Sequence, residues 1–399
     1  MKLFKKILIA NRGEIAVRII KSAQKMGIST VAIYSKADKD SLHIRLADEA
    51  HCIGDTALDE TYLNIEKIIT LAKETKSEAI HPGYGFLAEN PKLVAACEKN
   101  NIIFIGPSVR AIQLMGNKIA ARAFVETLDI PMTKAHTGDI KHLLEASKNI
   151  DLPVLVKAAA GGGGKGMRIV YDWKELENAI EATSREAKAY FGDGEVFVEK
   201  YVENPRHIEI QIMGDKHGNV VHLYERECSI QRRYQKVIEE SPSPSLTPEV
   251  REKMGAEAVK IAQSIGYDNA GTIEFLVDNK LNYYFLEMNT RVQVEHPVTE
   301  MVTGIDIVRE QISVAAGNRL TFEQKDIFQN GHAIEARIYA EDPENDFLPS
   351  PGFMTLYTEP KGEGIRIDSG IDNPVEVKSF FDPMISKLIA FGEDREAAQ

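Results

Sequence analysis

The 399-residue chain has only three cysteines, Cys52, Cys97 and Cys228, and none lies in a CxxC or Cys/His spacing. That scarcity excludes a disulfide framework and a thiolate zinc site, and it points to a reducing, cytoplasmic setting. Positive charge is also short. The formal net charge is -12, whereas a nucleic-acid surface needs clustered Lys and Arg. Any polyanion bound here must find a local basic pocket. Long apolar runs are missing too: the opening MKLFKKILIA stops at Asn11 and Arg12, too short for a secretion signal or a membrane span. The first turn, IANRGEIA, lacks the GxGxxG spacing that seats a dinucleotide pyrophosphate, so a dehydrogenase loses its main support.

What is present reads as α/β. The run KKILIA, EIAVRIIKSAQKMG, TVAIYS alternates strand, amphipathic helix and strand, and continues through EAIHPGYGF, a helix near Pro91 to Lys99, and NIIFIGPS. This predicts an open, largely parallel sheet over residues 1–113. Near Pro131 the texture changes to a β-rich stretch, LPVLVKAAAGGGGKGMRIVYD, then a helix from about Trp173 to Tyr190 and the strand EVFVEKYV, which predicts a small lid-like unit within 114–203. HIEIQIMGD, GNVVHLYERE, GTIEFLVD and LNYYFLEMN, with a helix after Pro248, predict a large antiparallel sheet over 204–330. GHAIEARIYA opens a final unit, 331–399.

Two patterns carry chemistry. Gly161 to Gly164, Lys165 and Gly166 lie between two strands, whereas a Walker A loop runs from strand to helix. This predicts a mobile hairpin whose side-chain-free backbone closes over a polyphosphate, with Lys157 and Lys118 as further cations. A glycine run alone is more often a plain surface turn. The second pattern is FLEMNTRVQVEHPVTE, with Glu287, Asn289, Arg291, Gln293 and Glu295 at every second position. If Asn279 to Asn282 form the turn, Asp278 pairs with Tyr283 and Glu274 falls opposite Glu287. Facing carboxylates with a neighbouring amide are hard ligands for Mg²⁺ or Mn²⁺ beside substrate phosphates. If the chain stays extended, Arg291 and Gln293 follow on the same face and suit a small planar oxyanion, and Glu295 suits a general base. A basic patch is also expected from Arg226, Arg232, Arg233 and Lys236 around Gln231, unless these pair with Glu225, Glu227, Glu239 and Glu240.

Together IANRGEIA, HPGYGFLAEN, FIGPS, KAAAGGGGKGMR, EKYVENPRHIEIQ, ERECSIQRR, FLEMNTRVQVEHPVTEM and EDPENDFLPSPG closely resemble the biotin carboxylase component of biotin-dependent carboxylases, over essentially the whole chain. The resemblance implies an ATP-grasp fold and carboxylation of biotin by bicarbonate at the expense of ATP. It implies ATP contacts from Lys118, Lys157, Gly163, Gly164, Lys165, Gly166, Glu199, Lys200, Val202, His207, Gln231, Tyr234 and Leu276. It also implies Mg²⁺ or Mn²⁺ on Glu274, Glu287 and Asn289. Bicarbonate would meet Arg291, Gln293, Val294 and Lys236, with Glu295 as base and Arg337 stabilising the biotin enolate.

Two departures stand out. Tyr234 occupies a position where the family commonly has His, and the chain ends at GEDREAAQ, where family members run on by several dozen residues, so the last domain is expected to be incomplete. No Ala-Met-Lys-Met biotin-attachment motif occurs, so a separate biotin carboxyl carrier protein is the expected partner, with a carboxyltransferase and a second copy of the chain as further ones. No nucleic-acid or membrane partner is expected. Competing readings are another ATP-grasp ligase, which a cradle sized for bicarbonate disfavours, and a nucleotide-binding module without turnover. The final carboxyl acceptor is not specified by these residues.

Overall fold

The computed structural model describes residues 3–159 and 166–399. Gly163, Gly164 and Lys165 of the glycine run therefore lie outside the described residues. The N-terminal strands form a five-stranded parallel sheet in the order Glu49–Gly54, Ser29–Ser35, Lys6–Ile9, Ala79–His81, Ile103–Phe104. The order reverses between Lys6–Ile9 and Ala79–His81, and in open α/β sheets ligands gather at the strand ends beside such a reversal. There the two loops are tied together: Asn11 Nδ2 donates to the carbonyls of Pro82 and Tyr84, both at 2.7 Å. Gly83 has φ +64, and a Cβ there would meet Asn11 Nδ2 at 2.9 Å, so this crossing requires glycine. The helix expected near Pro91 spans Pro91–Lys99, with the Asn90 side chain capping the Lys92 N–H and proline in its first turn.

Residues 135–200 contribute a four-stranded antiparallel sheet, ordered Ala135–Thr137, Val196–Lys200, Val154–Ala158, Met167–Val170. The helix Leu176–Phe191 covers it and ends at Gly192 in a left-handed turn. Its core is Leu143, Val154, Val156, Ile180 and Val198, all fully buried, so this unit has an interior of its own.

The remaining strands form one antiparallel sheet of eight, in the order Tyr283–Asn289, Asn269–Val277, Arg206–Gly214, Val220–Arg232, Gln235–Ser241, His332–Tyr339, Met384–Gly392, Ile365–Ser369. Strands on either side of residue 330 thus pair directly within one sheet. The helix Pro248–Ile265 packs on one face through Met254, Ala258, Ile261 and Ile265. Among the described residues no helix is long and apolar enough to cross a membrane.

The register differs from the count made on the sequence. Val277, not Asp278, pairs with Tyr283, because Asp278 belongs to the loop: its carboxylate accepts from the backbone N–H groups of Lys280 and Asn282. Glu274 still lies opposite Glu287, because a bulge between Glu274 and Phe275 leaves Leu286 without a partner and restores the offset. The assumption of a continuing strand also fails. The strand ends at Asn289, and Glu295 is the N-cap of the helix His296–Thr303, whose Pro297 fits the first turn and not a strand.

Candidate active site

A cleft of about 1090 Å³ runs between the small sheet and the eight-stranded sheet. Every residue expected from the sequence to contact ligand, apart from the glycine run, lines it. Gly166, at the end of that run, has φ +68 and its carbonyl accepts from Ala158 N at 2.9 Å, closing the base of the hairpin formed by Val154–Ala158 and Met167–Val170. Lys200, Val202, Gln231 and Leu276 lie in the same cleft as Lys118 and Lys157. Tyr234 sits at the mouth, 56% exposed, at the tip of a two-residue turn in which Arg233 (φ 51) and Tyr234 (φ 67) are both left-handed. Such turns favour Asn-Gly, so two large side chains here cost roughly 1–3 kcal/mol each and are aimed by the backbone.

At the end of the cleft toward the small sheet, Lys157 Nζ lies 3.0 Å from Glu199 Oε1, and Arg122 and Thr133 hold the other oxygen at 3.1 and 2.7 Å. Burial pushes the Glu199 carboxyl up, but Lys157 and Arg122 outweigh it and hold it below the usual carboxylate range. Lys118 lies 3.6 Å from Glu287, and burial, aided by Lys157, lowers its affinity for its proton.

The centre is built on a row of charged groups crossing the large sheet. Glu287, Glu274 and Glu209 are successive cross-strand partners, followed by Arg226 on the next strand. Glu274 Oε1 accepts from Lys236 (2.9 Å), Asn289 (2.7 Å) and Gln293 (2.8 Å), and Oε2 meets His207 at 2.6 Å. Lys236 also donates to Glu209 and, at 2.8 Å, to Glu295. Arg337 joins Glu295 (3.2 Å) to Glu239 (2.6 Å). Burial would raise the Glu295 carboxyl, but Lys236, Arg337 and Arg226 together hold it well below the usual range. Arg291 donates to Glu89 and to Asn289 Oδ1, both at 2.8 Å. The backbone of Val294 also enters this group, its carbonyl accepting from Lys387 at 2.7 Å. Thus Arg291, Gln293 and Glu295 converge although the chain between them is irregular.

The donor set of Glu274, Glu287 and Asn289 is all oxygen, with two facing carboxylates, and this fits a hard divalent cation. Here the Asn289 amide points its nitrogen at Glu274 and its oxygen at Arg291, so holding a cation requires that amide to turn.

The basic patch does not form as expected. Arg226 is fully buried and donates to Glu209, Gln211, Thr272, Gln293 and Thr299. Arg232 pairs with Glu341 and Arg233 with Asp346, while Glu225, Glu227, Glu239 and Glu240 take Arg251, Arg206, Arg337 and Arg395. The counter-charges come from distant parts of the chain: an adjacent strand supplies Arg206 and Arg337, helices supply Arg251 and Arg395, and the segment after residue 340 takes Arg232 and Arg233. Sequence reasoning missed Glu209 and Glu89, and it gave Arg226 to a basic patch in place of this buried row. Glu209 and Gln211 alternate with Ile208, Ile210 and Ile212 in the same way as the metal strand, and that signal was legible. Nothing local marks Glu89, which meets a residue 202 positions away.

A cleft between a small antiparallel sheet and a large one, with lysines at one end and a row of carboxylates on the large sheet at the other, defines an ATP-grasp ligase. Known families place it further. Residues 3–112 match the biotin carboxylase N-terminal domain, 117–323 the carbamoyl-phosphate synthase L chain ATP binding domain, and 335–399 the biotin carboxylase C-terminal domain. The chain is 52% identical to biotin carboxylase 2 of Bacillus subtilis, over 99% of this chain and 90% of that protein. It is 51% identical to the biotin carboxylase of a Nostoc species, over 99% of this chain and 89% of that protein. The biotin carboxylase domain dimer of Hydrogenobacter thermophilus 2-oxoglutarate carboxylase, solved with MgADP, ADP and bicarbonate, superposes with a TM-score of 0.97 at 49% identity, covering 100% of this chain and 88% of that one. The chain belongs to the biotin carboxylase family.

Proposed function

We propose that this chain carboxylates biotin on a separate carrier protein, using bicarbonate and MgATP, as the first half-reaction of a biotin-dependent carboxylase. The observation that carries this is the convergence of Lys236, Arg291, Gln293, Glu295 and Arg337 in one cleft with Lys118 and Lys157. Lys118 and Lys157 hold the polyphosphate, and Lys200, Val202, Gln231, Tyr234 and Leu276 surround the nucleoside. Glu274, Glu287 and Asn289 hold Mg²⁺ or Mn²⁺, which when bound screens the charge of the transferring phosphoryl group.

Arg291, Gln293 and Lys236 seat bicarbonate beside Glu295, which takes its proton as an oxygen attacks the γ-phosphorus. A carboxylate held so low is a weak base on its own. Bicarbonate entering the cradle brings a negative charge that competes for Lys236, and this raises Glu295 at the moment it is needed. Carboxyphosphate then splits into CO₂ and phosphate, the phosphate removes the ureido proton of biotin, and Arg337 stabilises the enolate.

A carrier protein, a carboxyltransferase and a second copy of the chain complete the proposed assembly in the cytoplasm. The test is phosphate release from MgATP with and without bicarbonate and free biotin. Release should require bicarbonate, rise with biotin, and collapse in Glu295→Gln, while Arg337→Ala should lose the biotin-dependent part. Bicarbonate-independent release in both variants would overturn the reading. A nucleotide-binding module would bind ATP and release nothing.

A further inference from the structure

Beside Arg337, whose guanidinium also reaches Glu295, lies a pair of acids that the mechanism leaves unused. Glu239 and Glu335 are direct partners on the adjacent strands Gln235–Ser241 and His332–Tyr339, and both are fully buried. Side chains at directly opposed positions share a face of the sheet, with Cβ atoms ~5 Å apart. Arg337 satisfies Glu239 Oε1 at 2.6 Å, but Glu239 Oε2 and both oxygens of Glu335 have no hydrogen-bond donor among the described residues. The cation nearest in register, Lys387, is opposite Arg337 and is committed to the Val294 carbonyl at 2.7 Å and to Glu14 at 3.3 Å.

A buried carboxylate without a donor is costly, and two side by side are costlier. A proton shared between two carboxyls at directly opposed, buried positions relieves both the missing donor and the repulsion. We propose that Glu335 is a positioning residue, held as the neutral acid and donating its O–H to Glu239, so that the pair presents a single negative charge to Arg337. Arg337 is then shared between Glu239 and Glu295 and is not drawn wholly to a doubly charged pair beside it, which keeps its other arm at the base and at the enolate. The last step rests on the carboxylase reading above; the shared proton does not.

The surroundings agree. Burial drives the Glu335 acid up; Lys387 and Arg337 oppose this, while Glu239 and Glu295 reinforce it. Glu239 is pushed to about 7, chiefly by burial and further by Glu295, against Arg337 and Lys236. The helix His296–Thr303, which packs on the strand carrying Glu335, adds His296 and Glu300. His296 is engaged with the Gln293 carbonyl, and Glu300 with Arg18 and Arg366.

Infrared spectroscopy of glutamate-labelled protein tests the proposal without any substrate. A carbonyl stretch of a buried protonated carboxyl should be present at neutral pH, be lost in Glu335→Gln, and fade in the unsubstituted chain as pH rises. Its absence at neutral pH overturns the proposal. In turnover, Glu335→Gln offers an amide N–H to Glu239 and should rescue most of the biotin-dependent kcat that Glu335→Leu loses, by about tenfold, with KM for ATP little changed in either. The alkaline decline tied to the pair should be missing from the Gln variant. Equal losses in the two variants would overturn the positioning role. A band in a chain without bicarbonate-dependent turnover would sink the carboxylase reading and leave the shared proton standing.

Discussion

Replacing Arg226 by Met tests whether the buried charge row holds the site together. Arg226 is fully buried and donates through all three nitrogens, to Glu209 at 2.6 Å, to Gln211 and Gln293 at 2.7 Å each, and to Thr299 and Thr272 at 3.0 and 3.2 Å. Met keeps much of the apolar stem but no donor. Glu209, also fully buried, would retain only Lys236 among the described residues, and Glu274 and Glu295 share that lysine. Removing one partner of a buried ion pair costs about 3–5 kcal/mol, which for a cooperative unit of roughly 200 residues lowers the unfolding midpoint by on the order of 10 °C. Thermal unfolding followed by circular dichroism measures this directly, and Arg226→Met/Glu209→Gln should recover part of the loss by removing the stranded charge. The freed Gln293 should also raise KM for bicarbonate more than KM for ATP. A midpoint within ~2 °C of the parent would refute the reasoning, since it would mean that water or a rearrangement replaces the guanidinium without penalty.

Glu287→Gln removes one proposed cation ligand while leaving the protein contacts nearly intact, because its ion-pair partner, Lys118, stands at 3.6 Å. The Mg²⁺ concentration needed for half-maximal phosphate release should rise about tenfold, and a strong chelator should abolish release in the parent; an unchanged Mg²⁺ dependence would remove Glu287 from the site. Asp38 predicts an acid limit to stability. Burial would raise its carboxyl, but Arg12 and a hydrogen bond from Tyr62 outweigh it and hold the folded value below the ordinary one. A depressed folded value adds stability that is complete above the unfolded pKa of about 4 and is lost as pH falls through the folded value. Acid unfolding monitored by circular dichroism should therefore begin below about pH 4 and be less steep in Arg12→Met.

How much was legible in the sequence follows from where each signal is stored. Alternation gave the metal strand, because Glu287 and Asn289 face one way while Met288 between them is buried in the core. It also placed Glu274 opposite Glu287, although the turn count was one residue out and Leu286 had to bulge to make it so. Alternation gave no reliable account beyond Asn289, where Arg291, Gln293 and Glu295 are brought together by a bend and a helix N-terminus. The ion pairs of Arg232, Arg233 and Arg337 were not legible, since each partner lies about a hundred residues away. Glu239 and Glu335 were invisible for the same reason: strand order is a property of the whole sheet.

The central claim is that an oxygen of bicarbonate attacks the γ-phosphorus in this cleft. The most direct measurement is mass spectrometry of the phosphate released from MgATP in the presence of ¹⁸O-bicarbonate and biotin. If carboxyphosphate forms and splits into CO₂ and phosphate, the bridging oxygen stays with phosphorus, and the phosphate must carry one labelled atom. Phosphate without label, its fourth oxygen coming from water, would mean that the chain hydrolyses ATP and does not activate bicarbonate.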